Sequence, residues 1–244
     1  ATAAVRCWGA NSSGQLGDGT TNPSMTPVTV SGITTATDVV AGAFHTCARL
    51  TGGFMRCWGS NGFGQLGDGS IVNRSVPAAV EALFQQVTMM GAGNDHTCAL
   101  LASGTVKCWG FNTFGNLGDG TFVDSPTPVI VTGMGSARAL SSGSHNNCAR
   151  MTDDTLRCWG ANFNGSLGNG GTANSPIPLT VSGVATAVAI ENGYAHTCAI
   201  LASGSMRCWG NNAAGQLGDN TTNPSLTAVP VWGVSQASSI IAAR

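Results

Sequence analysis

Cys7 to Gly19 reads CWGANSSGQLGDG, and this string returns through the chain. Cys-Trp-Gly recurs at Cys57, Cys108, Cys158 and Cys208, at spacings of 50, 51, 50 and 50 residues. After each copy comes a related loop: NSSGQLGDG from Asn11, NGFGQLGDG from Asn61, NTFGNLGDG from Asn112, NFNGSLGNG from Asn162 and NAAGQLGDN from Asn212. A fixed period in the range of about 20–50 residues marks a solenoid or a propeller. Beyond each loop lie a proline (Pro27, Pro77, Pro128, Pro178), a β-branched stretch, a glycine and a second apolar stretch such as Thr37-Asp38-Val39-Val40. A histidine-containing segment (Phe44-His45-Thr46-Cys47-Ala48) and a tight turn such as Ala102-Ser103-Gly104 then lead into the next Cys-Trp-Gly. Four short strands per period, bounded by Gly, Asn, Asp and Pro clusters, are expected. With no helical periodicity to cover a flat sheet, a propeller blade suits the pattern better than a sandwich.

Composition agrees. Charged residues make up 9% of the 244 and glycines number 35, while hydrophobic residues at 42% suffice for a core, so a folded, turn-rich chain is expected. The net charge of −1 and the single lysine, Lys107, provide no field for phosphate backbones or anionic lipid, so nucleic acid is not an expected partner. No apolar run approaches the roughly eighteen residues of a membrane-spanning helix.

The motifs resemble those of the regulator of chromosome condensation family. Its repeat, Gly-x-Asn-x-x-Gly-Gln-Leu-Gly-x-Gly, matches Gly9 to Gly19, and its Gly-x-x-His-Thr-x-Ala-Leu matches Gly93 to Leu100. The resemblance covers essentially the whole chain and implies an all-β propeller of four-stranded blades. Known members have seven blades, whereas this sequence holds about five blades' worth. It reads as a single repeat domain over 1–244, with repeats at 6–55, 56–106, 107–156, 157–206 and an incomplete 207–244; residues 1–5 belong to a preceding or closing blade. Ile240-Ile241-Ala242-Ala243 aligns with Val39-Val40-Ala41-Gly42, short of a histidine strand, and Ala1–Val5 aligns with Thr51–Met55, just after one. A segment of a longer propeller is expected, with terminal edges open to self-association.

Cysteines fall in two phases of the repeat, ten residues apart within a blade. Cys98 and Cys108 flank the Ser103-Gly104 turn symmetrically, so a hairpin sets them opposite each other, within disulfide range. The expected bridges are Cys47–Cys57, Cys98–Cys108, Cys148–Cys158 and Cys198–Cys208, each worth roughly 3 kcal/mol in the chain-entropy model. Cys7 is left unpaired or intermolecular. Such bridges suggest a secreted, cell-surface or periplasmic protein.

His45, His96, His145 and His196 recur once per blade, which argues for structural hydrogen bonding over catalysis or metal binding. Asp18, Asp68, Asp119 and Asp219 read as turn residues, too few per loop for calcium. Arg6, Arg56, Lys107, Arg157 and Arg207 share a strand face with the Trp two positions on, where cation–π packing is expected. No cofactor or metal site is expected.

Function is sought where copies differ within a constant frame. Two places qualify: the residues before the histidine strand (Phe44, Asn94, Asp95, Ser144, Tyr194) and the pair inside the Asn-x-x-Gly loop, including Phe63, Phe114 and Phe163. The phenylalanines suit either protein recognition or packing between blades. The leading expectation is a non-catalytic extracellular propeller binding a protein partner through these variable loops. The family includes a guanine-nucleotide exchange factor and a propeller inhibitor of β-lactamases, but neither activity maps onto residues here. The alternatives are a structural unit of a surface or fibrous assembly, and an enzyme with a site at the central channel. For the last, the nearest acids are Glu81, Glu191 and Asp153-Asp154, scattered along the chain.

Overall fold

A computed structural model describes residues 3–81, 83 and 86–242. Ala243, the last residue of the terminal apolar stretch, lies outside them.

Two strands come first, β1 (Arg6–Gly9) and β2 (Ser24–Thr29), forming a two-stranded sheet. Four antiparallel four-stranded sheets follow. The first is β3 (Ala36–Ala41), β4 (His45–Leu50), β5 (Met55–Gly59) and β6 (Arg74–Ala79), paired in sequence order. The second is β7 (Val87–Ala92), β8 (His96–Leu101), β9 (Val106–Gly110) and β10 (Ser125–Ile130). The third is β11 (Ala137–Ser142), β12 (Asn146–Met151), β13 (Leu156–Gly160) and β14 (Ser175–Thr180). The fourth is β15 (Ala187–Asn192), β16 (His196–Leu201), β17 (Met206–Gly210) and β18 (Ser225–Pro230). The first strands of successive sheets, β3, β7, β11 and β15, lie next to one another, so the sheets are propeller blades radiating from a common axis. Each blade therefore straddles two of the sequence repeats counted from Cys-Trp-Gly. The prolines Pro27, Pro77, Pro128 and Pro178 all stand on outermost strands, where one strand edge faces no neighbour and a missing N–H costs nothing. Ile240 packs against the cluster of Cys198, Cys208 and Leu217, but its segment pairs with no strand among the described residues.

The core lies between blades. On β5, Met55 and Cys57 point to one side and Trp58 to the other, as the period of two requires. Met55 and Cys57 pack with Leu66 of their own blade's loop and with Val87 and Trp109 of the following blade, whereas Trp58 packs with Val5, Val30 and Ile33 on the side of the preceding one. The same layer recurs between the second and third blades and between the third and fourth. Trp58, Trp109, Trp159 and Trp209 are wholly buried.

Each buried indole reaches one carbonyl of the preceding blade's loop. Trp58 Nε1 donates to Gln15 O at 2.9 Å, and Trp109, Trp159 and Trp209 donate to Gln65, Asn116 and Ser166 O, each at 3.0 Å. The same oxygens accept a second bond from Thr46, Thr97, Asn147 and Thr197 on the adjacent strand. Where cation–π packing on the indoles was expected, Arg157 and Arg207 donate instead to the carbonyls of Gly133 and Ala228.

The loops that offer these carbonyls are built around one asparagine. Asn61 accepts from Leu66 N–H at 2.9 Å and donates to Ser70 O, Val72 O and Asp68 Oδ1. Asn11, Asn112, Asn162 and Asn212 repeat the arrangement. Asp68 in turn accepts from Ser70 N–H, closing an Asx turn.

Across each hairpin Cys47 faces Cys57, Cys98 faces Cys108, Cys148 faces Cys158 and Cys198 faces Cys208. The four pairs are bonded, with Cα atoms 4.0–4.1 Å apart, and Cys7 is free. Thiol alkylation without reductant, read by intact mass, should therefore add one label, at Cys7; more than one label would remove a bridge from this account.

Two glycines separate backbone conformation from indole packing. Gly118 (φ +67°) and Gly120 (φ +91°) both take the left-handed side of backbone space, but only a Cβ on Gly118 would meet Trp159, at 2.8 Å. Gly120→Ala should cost about 1–2 kcal/mol of conformational strain, and Gly118→Ala about 1–3 kcal/mol more from overpacking. Equal denaturant midpoints for the two variants would contradict the indole contact.

Candidate functional site

The loops just described hold their variable pair in fixed positions. Phe63 N–H donates to Gln65 Oε1 at 3.0 Å and Phe114 N–H to Asn116 Oδ1 at 3.3 Å, so each phenylalanine is carried on a clasped turn. On neighbouring blades these rings meet. Phe63 stands edge to face with Phe111 (centroids 5.1 Å apart), Phe111 with Phe114 (5.6 Å) and Phe114 with Phe163 (5.3 Å), with interplanar angles of 72–77°. The geometry satisfies the ring quadrupoles, and each such pair contributes about 0.5–1.5 kcal/mol beyond burial. Phe63 and Phe163 nevertheless stay 41% and 42% exposed. The rings thus pack on one another across blades, as one of the two alternatives posed by the sequence has it, and two of them still face solvent.

His145 joins this cluster. Its ring lies 5.4 Å from Phe114, 6.2 Å from Phe111 and 6.5 Å from Phe163. This corrects the expectation of four equivalent histidines. The amides of Gly42, Gly93 and Gly193 donate to the carbonyls of His45, His96 and His196, but Gly143 donates to Asn146. Asn146 therefore holds the histidine position in the third blade, and His145 stands one residue earlier, equivalent to Phe44, Asp95 and Ala195. His45 Nε2 and His96 Nε2 bond the next blade's Thr97 and Asn147, as structural residues do. His145 instead contacts Asn94 Nδ2 through its Nε2 at 3.3 Å, and its Nδ1 is buried with no hydrogen-bond partner.

Asp95 borders the same cluster, its carbonyl accepting from Phe111 N–H at 2.9 Å. Its half-buried carboxylate accepts one long bond, from Gln65 Nε2 at 3.4 Å, and lies in no ion pair among the described residues. Burial pushes the Asp95 carboxyl above its ordinary value, partly offset by His145; burial holds His145 below the usual imidazole range, partly offset by Asp95.

Of the remaining candidates Asn94 adjoins the cluster through His145, and the others lie apart from it. Tyr194, Asn94 and Ser144 line a recess of about 380 Å³ with Ala43 near the inner strands. Tyr194 is 63% exposed, but Ser144 is only 1% exposed, enclosed as the inner strands converge, and offers no surface to a macromolecule. Phe44 is exposed and joins none of the ring pairs. The acidic residues do not converge: Glu191 accepts from Ser141, Asp153 from Thr155, and Asp154 pairs with Arg150.

Phe111 and His145 are the members that sequence reasoning missed. Phe111 follows Cys-Trp-Gly where other copies have Ala10, Ser60, Ala161 and Asn211. His145 lies two residues after its glycine where the others lie three. Both signals were present as breaks in the repeat.

Comparison with known proteins follows the same repeat. The regulator of chromosome condensation (RCC1) repeat matches residues 5–49, 57–100, 103–149 and 153–200, and a second form of it matches 36–65, 87–116, 137–166 and 186–216. The chain is 31% identical over 128 residues to the ultraviolet-B receptor UVR8 of Arabidopsis thaliana, a match covering 51% of this chain and 29% of that protein. Its structure is similar to human WBSCR16, with a TM-score of 0.86 at 21% identity over 97% of this chain and 64% of that one. It is similar also to a chain in the crystal structure of Kap60 bound to yeast RCC1 (Prp20), with a TM-score of 0.85 at 20% identity over 98% and 62%. The chain thus spans less than two thirds of the length of each of these proteins, and likeness at 20–21% identity speaks for the fold alone. With repeat, blade and inter-blade contacts in agreement, the chain belongs to the regulator of chromosome condensation (RCC1) repeat family.

Proposed function

We propose that this chain is a non-catalytic, extracellular protein-binding propeller whose partner docks on the Phe63–Phe111–Phe114–Phe163 face. The observation that carries the reading is the unbroken edge-to-face series of four rings, part exposed, on loops clasped by buried asparagines. Rigid aromatic side chains lose little entropy on binding and dominate the energetics of protein interfaces. Four buried disulfides in hairpins support an oxidising compartment. Among the described residues no helix is long and apolar enough to cross a membrane.

Photo-crosslinking tests the face. A benzoylphenylalanine placed at Phe63 or Phe163 should give discrete adducts with proteins of the culture medium. The same group at Phe54, an exposed residue of the β4–β5 turn at the opposite end of the strands, should not. Adducts of equal yield from all three positions, or none from Phe63 and Phe163, would refute the reading.

Protonation of the face follows from burial. His145, disfavoured as imidazolium in the fold, takes its proton more readily in the unfolded chain. Its contribution to stability is therefore complete above the ordinary imidazole range and declines as pH falls through it. Asp95 runs the other way: the folded carboxyl holds its proton to higher pH, so its contribution is complete below the ordinary carboxylate range and is lost as pH rises through the elevated folded value. Removing the Asp95 charge should push the His145 midpoint lower still. In an NMR titration of the imidazole Cε1–H signals, Asp95→Asn should lower His145 and leave His196, whose lowering has burial as its cause, unmoved. An upward move of His145 would contradict the geometry.

A further inference from the structure

Asp95 is the point of the face that its own chain leaves unmatched. Its carbonyl accepts from Phe111 N–H, and its half-buried carboxylate receives one hydrogen bond at 3.4 Å and has no cation within ion-pair distance among the described residues. The titratable group coupled to it, His145, is held below the usual imidazole range by burial. Asn94 stands beside it with its amide nitrogen engaged by His145, which leaves its carbonyl oxygen as a neutral acceptor. A partly desolvated carboxylate without a partner costs free energy that a bound cation would recover.

The rings narrow the choice of ligand. Interplanar angles of 72–77° offer no coplanar platform on which a sugar ring could stack along the row. The acidic group repels phosphate, and an acidic peptide would meet like charge. A guanidinium fits both halves: it is weakly hydrated, packs on aromatic faces and bonds a carboxylate through a planar fork, whereas an ammonium is more strongly hydrated and bonds as a point charge.

Building on the protein-binding reading above, we infer that the face selects a protein partner presenting an arginine beside an apolar side chain on a surface loop. The guanidinium pairs with Asp95 and Asn94 at the edge of the cluster, and the apolar neighbour covers Phe63, Phe114 and Phe163. Charge complementarity at Asp95 supplies the specificity, and the rings supply most of the contact area.

A displayed library of thioether-cyclised peptides, selected on the intact chain, tests this. Selected peptides should carry an arginine next to an aliphatic or aromatic residue. Their affinity should fall about tenfold or more on Asp95→Asn, the scale of a lost charge-assisted hydrogen bond. Replacing the peptide arginine by citrulline should cost the same factor on the wild-type chain and add little on Asp95→Asn. Thermal melting of Asp95→Asn checks that the near-isosteric variant is folded.

Two kinds of failure are distinguishable. Peptides that lack a basic residue, or lose less than about twofold with citrulline, overturn the arginine inference; if they still lose binding to a Phe63→Ser/Phe163→Ser variant, the protein-binding reading stands. Peptides that bind this double variant as well as the wild-type chain, or no enriched sequences at all, overturn both.

Discussion

The backbone carbonyl of Gln15, and of Gln65, Asn116 and Ser166 after it, is where each blade is fixed to the next. One oxygen accepts from an indole and from a threonine or asparagine of the following blade, at the centre of the buried layer between them. An indole N–H wholly buried without such an acceptor would cost free energy comparable to a lost hydrogen bond. The acceptor must therefore be delivered to within a fraction of an ångström, and the loop is constructed to do that. The buried asparagine fixes the loop's curvature, and the glycine after the leucine removes the Cβ that would strike the indole. Sheets alone would not make this protein cohere, because each blade buries its apolar faces only against its neighbours.

The architecture was legible because its determinants are local and repeated. Trp, Asn, Gly and Pro recur at constant phase, and each occupies a position where backbone geometry or burial admits few substitutes. Family and fold follow from that frame. The contents of the candidate site were legible only in part, since Phe63, Phe114 and Phe163 stood out as variable aromatics, but nothing in a linear pattern says that Phe63 meets Phe111 and Phe114 meets Phe163 at 5.1 and 5.3 Å, nearly fifty residues apart. That approach comes from the seating of neighbouring blades side by side, whose loops carry the rings. His145 was concealed differently. It sits beside an asparagine pair that takes over the hydrogen bonding of the usual His-Thr, so the substitution of roles is visible only in which carbonyl meets the Gly143 amide. Ser144 shows the converse: sequence variability between copies marked it, but the convergence of inner strands encloses it.

Electrostatics explains why the face is chemically distinct in so sparsely charged a chain. With eleven acidic and ten basic residues spread over 244, the carboxylates of Asp18, Asp119, Asp153 and Asp219 lie in turns and each accept more than one local hydrogen bond. Asp95 lacks that support because Thr97, two residues on, turns its hydroxyl to Gln65 O instead, which leaves the carboxylate one long bond from Gln65 Nε2. Its environment thus resembles half of an interface more than an ordinary surface position.

The layering also sets an order of events during maturation. Cys47, Cys57, Cys98, Cys108, Cys148 and Cys158 have no solvent exposure, since the next blade's tryptophan covers each pair. An oxidant or an isomerase can reach these sulfurs only while that neighbour is undocked. Each hairpin must accordingly close its bridge before the following blade seats, and a mispaired sulfur sealed beneath an indole would stay mispaired until the two blades separate.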